Sequence, residues 1–268
     1  MNQADPWDFL KRNTPARIAQ GRSGHSLPTR VLLDFQLDHA RARDAVQAQL
    51  PTHALNDQLQ AIIPNPLLLH SQAPDRRTYL LRPDLGRRLD ESSREKLQAP
   101  ANNQPESKAD LCIVIADGLS ATAIMHHAVP VVTKLVNELT KIGWCLAPIC
   151  IVEQGRVAIG DEIADGLGAE IVVILLGERP GLSSPDSLGA YLTYRPRPGL
   201  TDESRNCVSN IRPEGFPYDL AVQKLVYLLT EMKRYRLSGV GLKDEMPIHT
   251  LPHTSFPEAN EQIPEIPD

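Results

Sequence analysis

Residues 170–177, EIVVILLG, are apolar at every interior position. A strand with one wet face alternates polar and apolar side chains. A run without alternation needs cover on both faces, as in a parallel sheet held between two helical layers. Residues 111–116, LCIVIA, have the same texture, and residues 144–152, WCLAPICIV, read as a third strand in which Pro148 marks an edge or a bend. Between the first two runs Ser120 is a good N-cap for a helix through Ile142, interrupted by Pro130 and closed by Gly143. Residues 160–167 form a short helix with Ile159, Ile163 and Leu167 four apart and Gly168 as its stop. Strand–helix–strand–helix–strand predicts an α/β fold, a Rossmann-like and mostly parallel sheet flanked by helices.

Three regions follow from the texture. Residues 1–108 read as a mainly helical N-terminal region with loops. Within it Pro28 and Thr29 open a helix through Asp44, placing Leu33, Leu37 and Ala40 on one face. Prolines 51, 64, 66 and 74 then interrupt regular structure, and a short apolar run at residues 79–81 leads into an Arg-rich turn. Residues 91–108 are a polar helix end and linker. Residues 109–242 are the Rossmann-like domain. After its clearest strand a Gly/Pro/Ser-rich loop reaches Asn210, and a last helix, residues 219–237, carries Leu225, Leu229 and Met232 on one stripe. Residues 243–268 are a Pro-rich acidic tail that is not expected to fold alone.

The formal charge of −5 argues against a nucleic-acid binder, which carries a basic face. No stretch reaches the roughly 18–20 apolar residues of a membrane span, and the N-terminus has no apolar signal core, so a cytoplasmic location is expected. Cys112, Cys145, Cys150 and Cys207 lack metal spacing. The first three sit in or beside apolar runs and read as buried thiols, whereas Cys207 lies in a polar loop, RNCVSN.

Ligands of open α/β sheets bind beyond the carboxyl ends of the strands. Three polar clusters fall there: Asp117-Gly118-Leu119-Ser120, the loop GERPGLSS around Glu178, and the turn at residues 154–157. Glu178 follows directly on a buried strand. The dull alternative is a rim carboxylate paired with Arg179 or another arginine. DGLS could offer helix amides to an anion, or serve only as cap and turn. There is no P-loop, no GxSxG elbow and no HExxH, and GVG at residues 239–241 reads as a helix end. His126 and His127 are adjacent on a helix and diverge, so no metal site is expected from them. The chain has a binding architecture without a visible catalytic constellation.

Six segments together carry a resemblance: TPARI–GRSG (14–24), YLLRPDLGRRL (79–89), IADGLS (115–120), GRVAIGDEI (155–163), GERPGLSSPDSLGAYLTYRPRPG (177–199) and RNCVSNIRPEG (205–215). In order and spacing they resemble the small subunit of ethanolamine ammonia-lyase across residues 14–242. The resemblance implies a lyase subunit active only with a large subunit, in a hetero-oligomer of several large/small pairs. It implies adenosylcobalamin held between the two chains while ethanolamine is converted to acetaldehyde and ammonia by a radical route. Carried over, the cobalamin contacts fall on Val157, Glu178 and Cys207, with no catalytic residue on this chain. No DxHxxG pattern is present, so base-on binding without a histidine from this chain is expected. The arginines 17, 22, 82, 87 and 88 suit a subunit interface. The short N-terminus lacks the extension some members use for encapsulation, so packing into a bacterial microcompartment is not expected. Two rivals stay open: a stand-alone nucleotide-binding Rossmann-type enzyme, which lacks its glycine fingerprint, and a non-catalytic scaffold.

Overall fold

The computed structural model describes residues 5, 7–14, 16–98 and 109–246. The linker at residues 99–108 and the tail beyond residue 246 lie outside the described residues. A six-stranded sheet runs in the order β1-β3-β2-β4-β5-β6, with β1 Leu67–His70, β2 Leu111–Ala116, β3 Cys150–Glu153, β4 Ile171–Gly177, β5 Leu188–Tyr194 and β6 Asn206–Ile211. The first four in that order pair in parallel; β5 and β6 are antiparallel additions. The α/β expectation therefore holds, with a mostly parallel sheet.

Two helical layers cover it. Alternate side chains of β2, β3 and β4, such as Ile113, Ile151 and Val173, pack with α2 (Thr52–Gln60), α5 (Ala121–Lys141) and α7 (Tyr218–Tyr235). Their neighbours Cys112, Val152 and Ile174 face the opposite way, toward α4 (Glu91–Gln98) and α6 (Ile159–Gly166). Each fully buried aliphatic side chain contributes roughly 1.5–3 kcal/mol, so the doubly covered strands anchor the molecule. Ser120 caps α5 as expected, its Oγ accepting from the Ala123 N–H at 3.2 Å.

Several expectations change. The region after β4 is not a long loop to Asn210, because β5 and β6 lie within it. Leu188, Ala190 and Leu192 alternate and bury one face, and the flanking Gly, Pro and Ser residues conceal that pattern. A further strand, β1, forms between the prolines that punctuate the N-terminal region. The strand expected at residues 144–152 begins only at Cys150, and Pro148 marks a bend before a strand interior to the sheet. Cys145 is exposed, while Cys112 and Cys150 are buried. The last helix ends at Tyr235, where Arg236 takes the left-handed conformation (φ 58°); GVG is a separate 3₁₀ turn.

The N-terminal region is helical, with α1 at Thr29–Gln47 and a short α3 at Arg76–Leu81. Ala45 is the buried residue of α1; Leu32, Leu33, Phe35 and Leu37 are all exposed. The apolar residues seen in the sequence are there, but the described residues leave them exposed. No described helix is long and apolar enough to cross a membrane.

Candidate functional site

The three polar clusters meet at one end of the sheet. They follow β2, β4 and β3, which run parallel, so their carboxyl ends share an edge. The first two are locked together through backbone. Gly118 has φ 57°, and a Cβ there would stand 2.4 Å from the Gly177 carbonyl oxygen. A Cβ on Gly177 would stand 2.0 Å from the Ser120 carbonyl, so both positions require glycine. The Leu119 N–H donates to the Gly177 carbonyl at 2.9 Å, and Ser120 Oγ donates to the Pro185 carbonyl at 2.9 Å.

Beneath them lies a buried network that the sequence did not announce. Arg76 Nη1 donates to the Gly118 carbonyl at 2.8 Å and stands 3.4 Å from both Asp117 Oδ2 and Gln154 Oε1. Asp117 Oδ1 accepts from the Gly155 N–H at 3.1 Å. Burial pushes the Asp117 carboxyl up to about 6, even with the Arg76 charge beside it. The guanidinium groups of Arg76 and Arg156 lie 4.8 and 4.5 Å from the Tyr79 ring centroid, and the Tyr79 hydroxyl donates to the Gly155 carbonyl at 3.2 Å. This cluster ties α3 to the turns after β2 and β3. It positions the rim; none of its members is set up as an acid–base pair with a nucleophile.

The strand register decides where Glu178, Cys207 and Val157 fall. Leu176 pairs with Gly189, Ile174 with Tyr191, and Tyr191 with Cys207. Paired residues share a face, so Gly189, Tyr191 and Cys207 lie on the α4/α6 side. The helices on that side pack on β2 and β4, and α6 reaches the Thr193 end of β5 through Arg205. Tyr191 is half-buried and Cys207 exposed, while Gly189 and Thr193 are buried, so the accessible platform on this face is the β6 edge with Tyr191 beside it.

Glu178 lies across this platform. A Cβ on Gly189 would come 3.0 Å from Glu178 Oε1, so the missing side chain makes the bed for the carboxylate. Glu178 Oε2 accepts from the Asn210 N–H at 3.1 Å. Asn210 (φ 57°) lies within the β-bulge of β6, between Val208 and Ile211, that turns its backbone toward this loop. No ion pair engages Glu178 among the described residues, so the dull alternative of a rim salt bridge is not what forms. Burial, with the nearby Cys207 and Glu178, pushes the Tyr191 phenol up to about 12. Burial of the Cys207 sulfur against the sheet also lifts its thiol, and Glu178 adds to this, so it stays protonated at neutral pH. Cys207 therefore offers contact surface rather than a nucleophile.

Val157 stands just before α6 and packs, half-buried, on the same apolar cluster as Tyr191. That helix is fixed to β6 by a buried ion pair: Arg205 Nη1 and Nη2 donate to Asp161 Oδ1 and Oδ2 at 2.7 and 2.6 Å, and Nη1 also reaches Thr193 Oγ1 at 3.0 Å. Arg205 thus holds α6, β5 and β6 in one arrangement. The three residues singled out in the sequence belong to one face. Gly189 and Tyr191 join them, and the period-two pattern of LGAYLTY was the signal that could have found both.

The ethanolamine ammonia-lyase light chain (EutC) family model matches residues 4–243. A protein of Pseudomonas fluorescens (strain Pf0-1) named ethanolamine ammonia-lyase small subunit is 55% identical over 247 residues, 92% of this chain and 90% of that protein. One of the same name from Pseudomonas syringae pv. tomato (strain ATCC BAA-871 / DC3000) is 54% identical over 248 residues, 92% of this chain and 86% of the relative. Another from Pseudomonas putida (strain W619) is 53% identical over 247 residues, with 92% and 90% covered. The match spans both the N-terminal helical region and the sheet that carries the platform, and on that ground the chain belongs to the ethanolamine ammonia-lyase light chain family.

Proposed function

We propose that this chain is the small subunit of an adenosylcobalamin-dependent ethanolamine ammonia-lyase. In this reading Val157, Glu178 and Cys207 face one side of the cofactor, and a large subunit closes the other. The observation that carries the reading is the open platform on β5 and β6. It combines a carboxylate seated over Gly189 and held by the Asn210 N–H with an exposed cysteine kept as the thiol, with no acid–base pair or nucleophile. Such a surface binds and orients; it does not react.

The residues suit a corrin. Its rim carries amide N–H groups, for which the Glu178 carboxylate is an acceptor. Gly189 lets the Glu178 carboxylate lie low, the half-buried Tyr191 ring and the exposed Cys207 would meet the macrocycle, and Val157 would supply apolar contact at its edge. Bound adenosylcobalamin would supply radical initiation, chemistry that belongs to the cofactor. This chain's part is to hold one face, exclude water and keep the macrocycle in register. None of the platform residues is a histidine, in keeping with base-on binding. With histidine isotopically labelled in this chain, a protein nitrogen coupling to Co(II) would contradict that point.

A partner is called for on independent grounds. An α-helix of 19 residues whose one buried residue is Ala45 gains little from the other described residues, and it leaves Leu32, Leu33, Phe35 and Leu37 exposed. Arg22, Arg82, Arg87 and Arg88 are exposed in the same N-terminal region. Together these support a subunit interface formed by residues 1–108.

Co-expression with a large subunit tests the reading. Adenosylcobalamin-dependent release of acetaldehyde and ammonia from ethanolamine is expected only when both chains are present. Turnover by this chain alone would favour a stand-alone enzyme. Full activity of the large subunit without it would leave only a scaffold.

A further inference from the structure

His126 and His127 diverge along α5, but a residue from the loop that carries Glu178 brings them together. Asp186 Oδ2 lies 3.2 Å from His126 Nδ1 and 3.4 Å from His127 Nε2, and the three ligand atoms are all within 4.8 Å of one another. Ligands about 2.0–2.1 Å from a tetrahedral zinc stand about 3.3 Å apart, so both spacings match a shared ion.

His127 supplies a second, independent sign. The residue is 5% exposed, and its Nε2 makes no hydrogen bond among the described residues. The nitrogen is close to the carboxylate yet lacks hydrogen-bond alignment with it. A lone pair aimed at a metal in a tetrahedral site points about 35° away from the line joining two ligand atoms, which accounts for that misalignment. The other ring nitrogen, Nδ1, is 2.6 Å from the Tyr218 hydroxyl. When Nε2 is a ligand, Nδ1–H donates outward, and Tyr218 is the acceptor that fixes this tautomer. His126 is exposed, which gives an ion a path in and leaves room for water as a fourth ligand.

We propose that His126, His127 and Asp186 form a site for a divalent transition-metal ion, zinc foremost, that fastens the loop carrying Glu178 to α5. The function is structural: Ser120 Oγ already holds the Pro185 carbonyl at 2.9 Å, and the ion would fix the next residue. The site is separate from any cobalt chemistry and does not depend on the proposed activity.

The test uses the full-length chain stripped with a chelator and titrated with Co(II), followed by calorimetry and visible absorption. One ion per chain with tetrahedral ligand-field bands is expected. His126→Ala and Asp186→Asn alter partly exposed side chains, and circular dichroism can confirm that both variants fold. Each is expected to lose at least about tenfold in affinity, and Tyr218→Phe about 10–100-fold through the ligand it orients. Absence of saturable uptake would overturn the proposal, as would uptake unchanged in His126→Ala and Asp186→Asn.

Discussion

Replacing Glu178 with alanine removes the carboxylate that lies over Gly189 and accepts from the Asn210 N–H at 3.1 Å. In the proposed complex the same carboxylate would accept from a corrin amide, and a hydrogen bond to a charged group is worth roughly 1.5–3 kcal/mol. At 1.4 kcal/mol per factor of ten, its loss raises the half-saturating adenosylcobalamin concentration roughly 10- to 150-fold. The turnover number at saturating cofactor is expected to hold, because the carboxylate binds rather than reacts. Glu178→Gln keeps one acceptor oxygen and falls between wild type and alanine. Gly189→Ala is a second handle: its methyl group would meet Glu178 Oε1 at 3.0 Å and Cγ at 3.1 Å, so it displaces the carboxylate without removing the charge. The assay is ethanolamine deamination by the two-chain enzyme at graded cofactor concentrations, with thermal melts to show that the fold survives. Half-saturation unchanged within about twofold in both Glu178→Ala and Gly189→Ala would refute the reasoning.

Other consequences are testable in the same preparations. Asp117 is raised from 3.8 to about 6 in the folded chain, so it binds a proton more tightly folded than unfolded. Its contribution to stability is therefore full below about pH 4 and lost as pH rises toward 6, at most about 3 kcal/mol. Denaturant titrations at pH 4 and 6.5 should show wild type losing ground to Asp117→Asn across that window; a constant difference would contradict it. Asp161→Ala leaves the buried Arg205 guanidinium with only the exposed Asp202 carboxylate at 3.6 Å and is expected to cost up to about 3–5 kcal/mol in urea unfolding. Leu33→Ser with Leu37→Ser changes exposed positions, so each should alter the stability of the isolated chain by no more than about 0.5 kcal/mol. Binding to the large subunit should nevertheless weaken, and unchanged affinity in a pull-down titration would remove α1 from the interface.

The covered half of the sheet was legible because burial on two faces leaves an unmistakable mark: EIVVILLG and LCIVIA have no polar position to spare. The platform half was hidden for the opposite reason. In NCVSNI one face stays exposed, and in LGAYLTY the buried Gly189 and Thr193 and the half-buried Tyr191 replace aliphatic residues, so small and polar residues dilute the strand signal, and Pro and Gly on either side suggest a loop. Glu178 could be placed at a strand end from the sequence, but its bed at Gly189 depends on an antiparallel register that only the fold supplies. Arg76 was invisible as a member of the rim because it comes from a different helix, 41 residues before Asp117. The stripe on α1 was readable as apolar but not as uncovered, since a helix facing its own core and one facing another chain have the same periodicity. The His126–His127 pair was discounted from helical geometry alone; Asp186, 60 residues beyond His126, changes that geometry.

The central claim is that the β5–β6 platform forms one wall of a cobalamin site shared with a second chain. A structure of the complex with adenosylcobalamin bound tests it most directly. The corrin is predicted to lie between the two subunits, in contact with Val157, Glu178 and Cys207. A cofactor held wholly within the large subunit, with Tyr191 and Cys207 open to solvent, would contradict it.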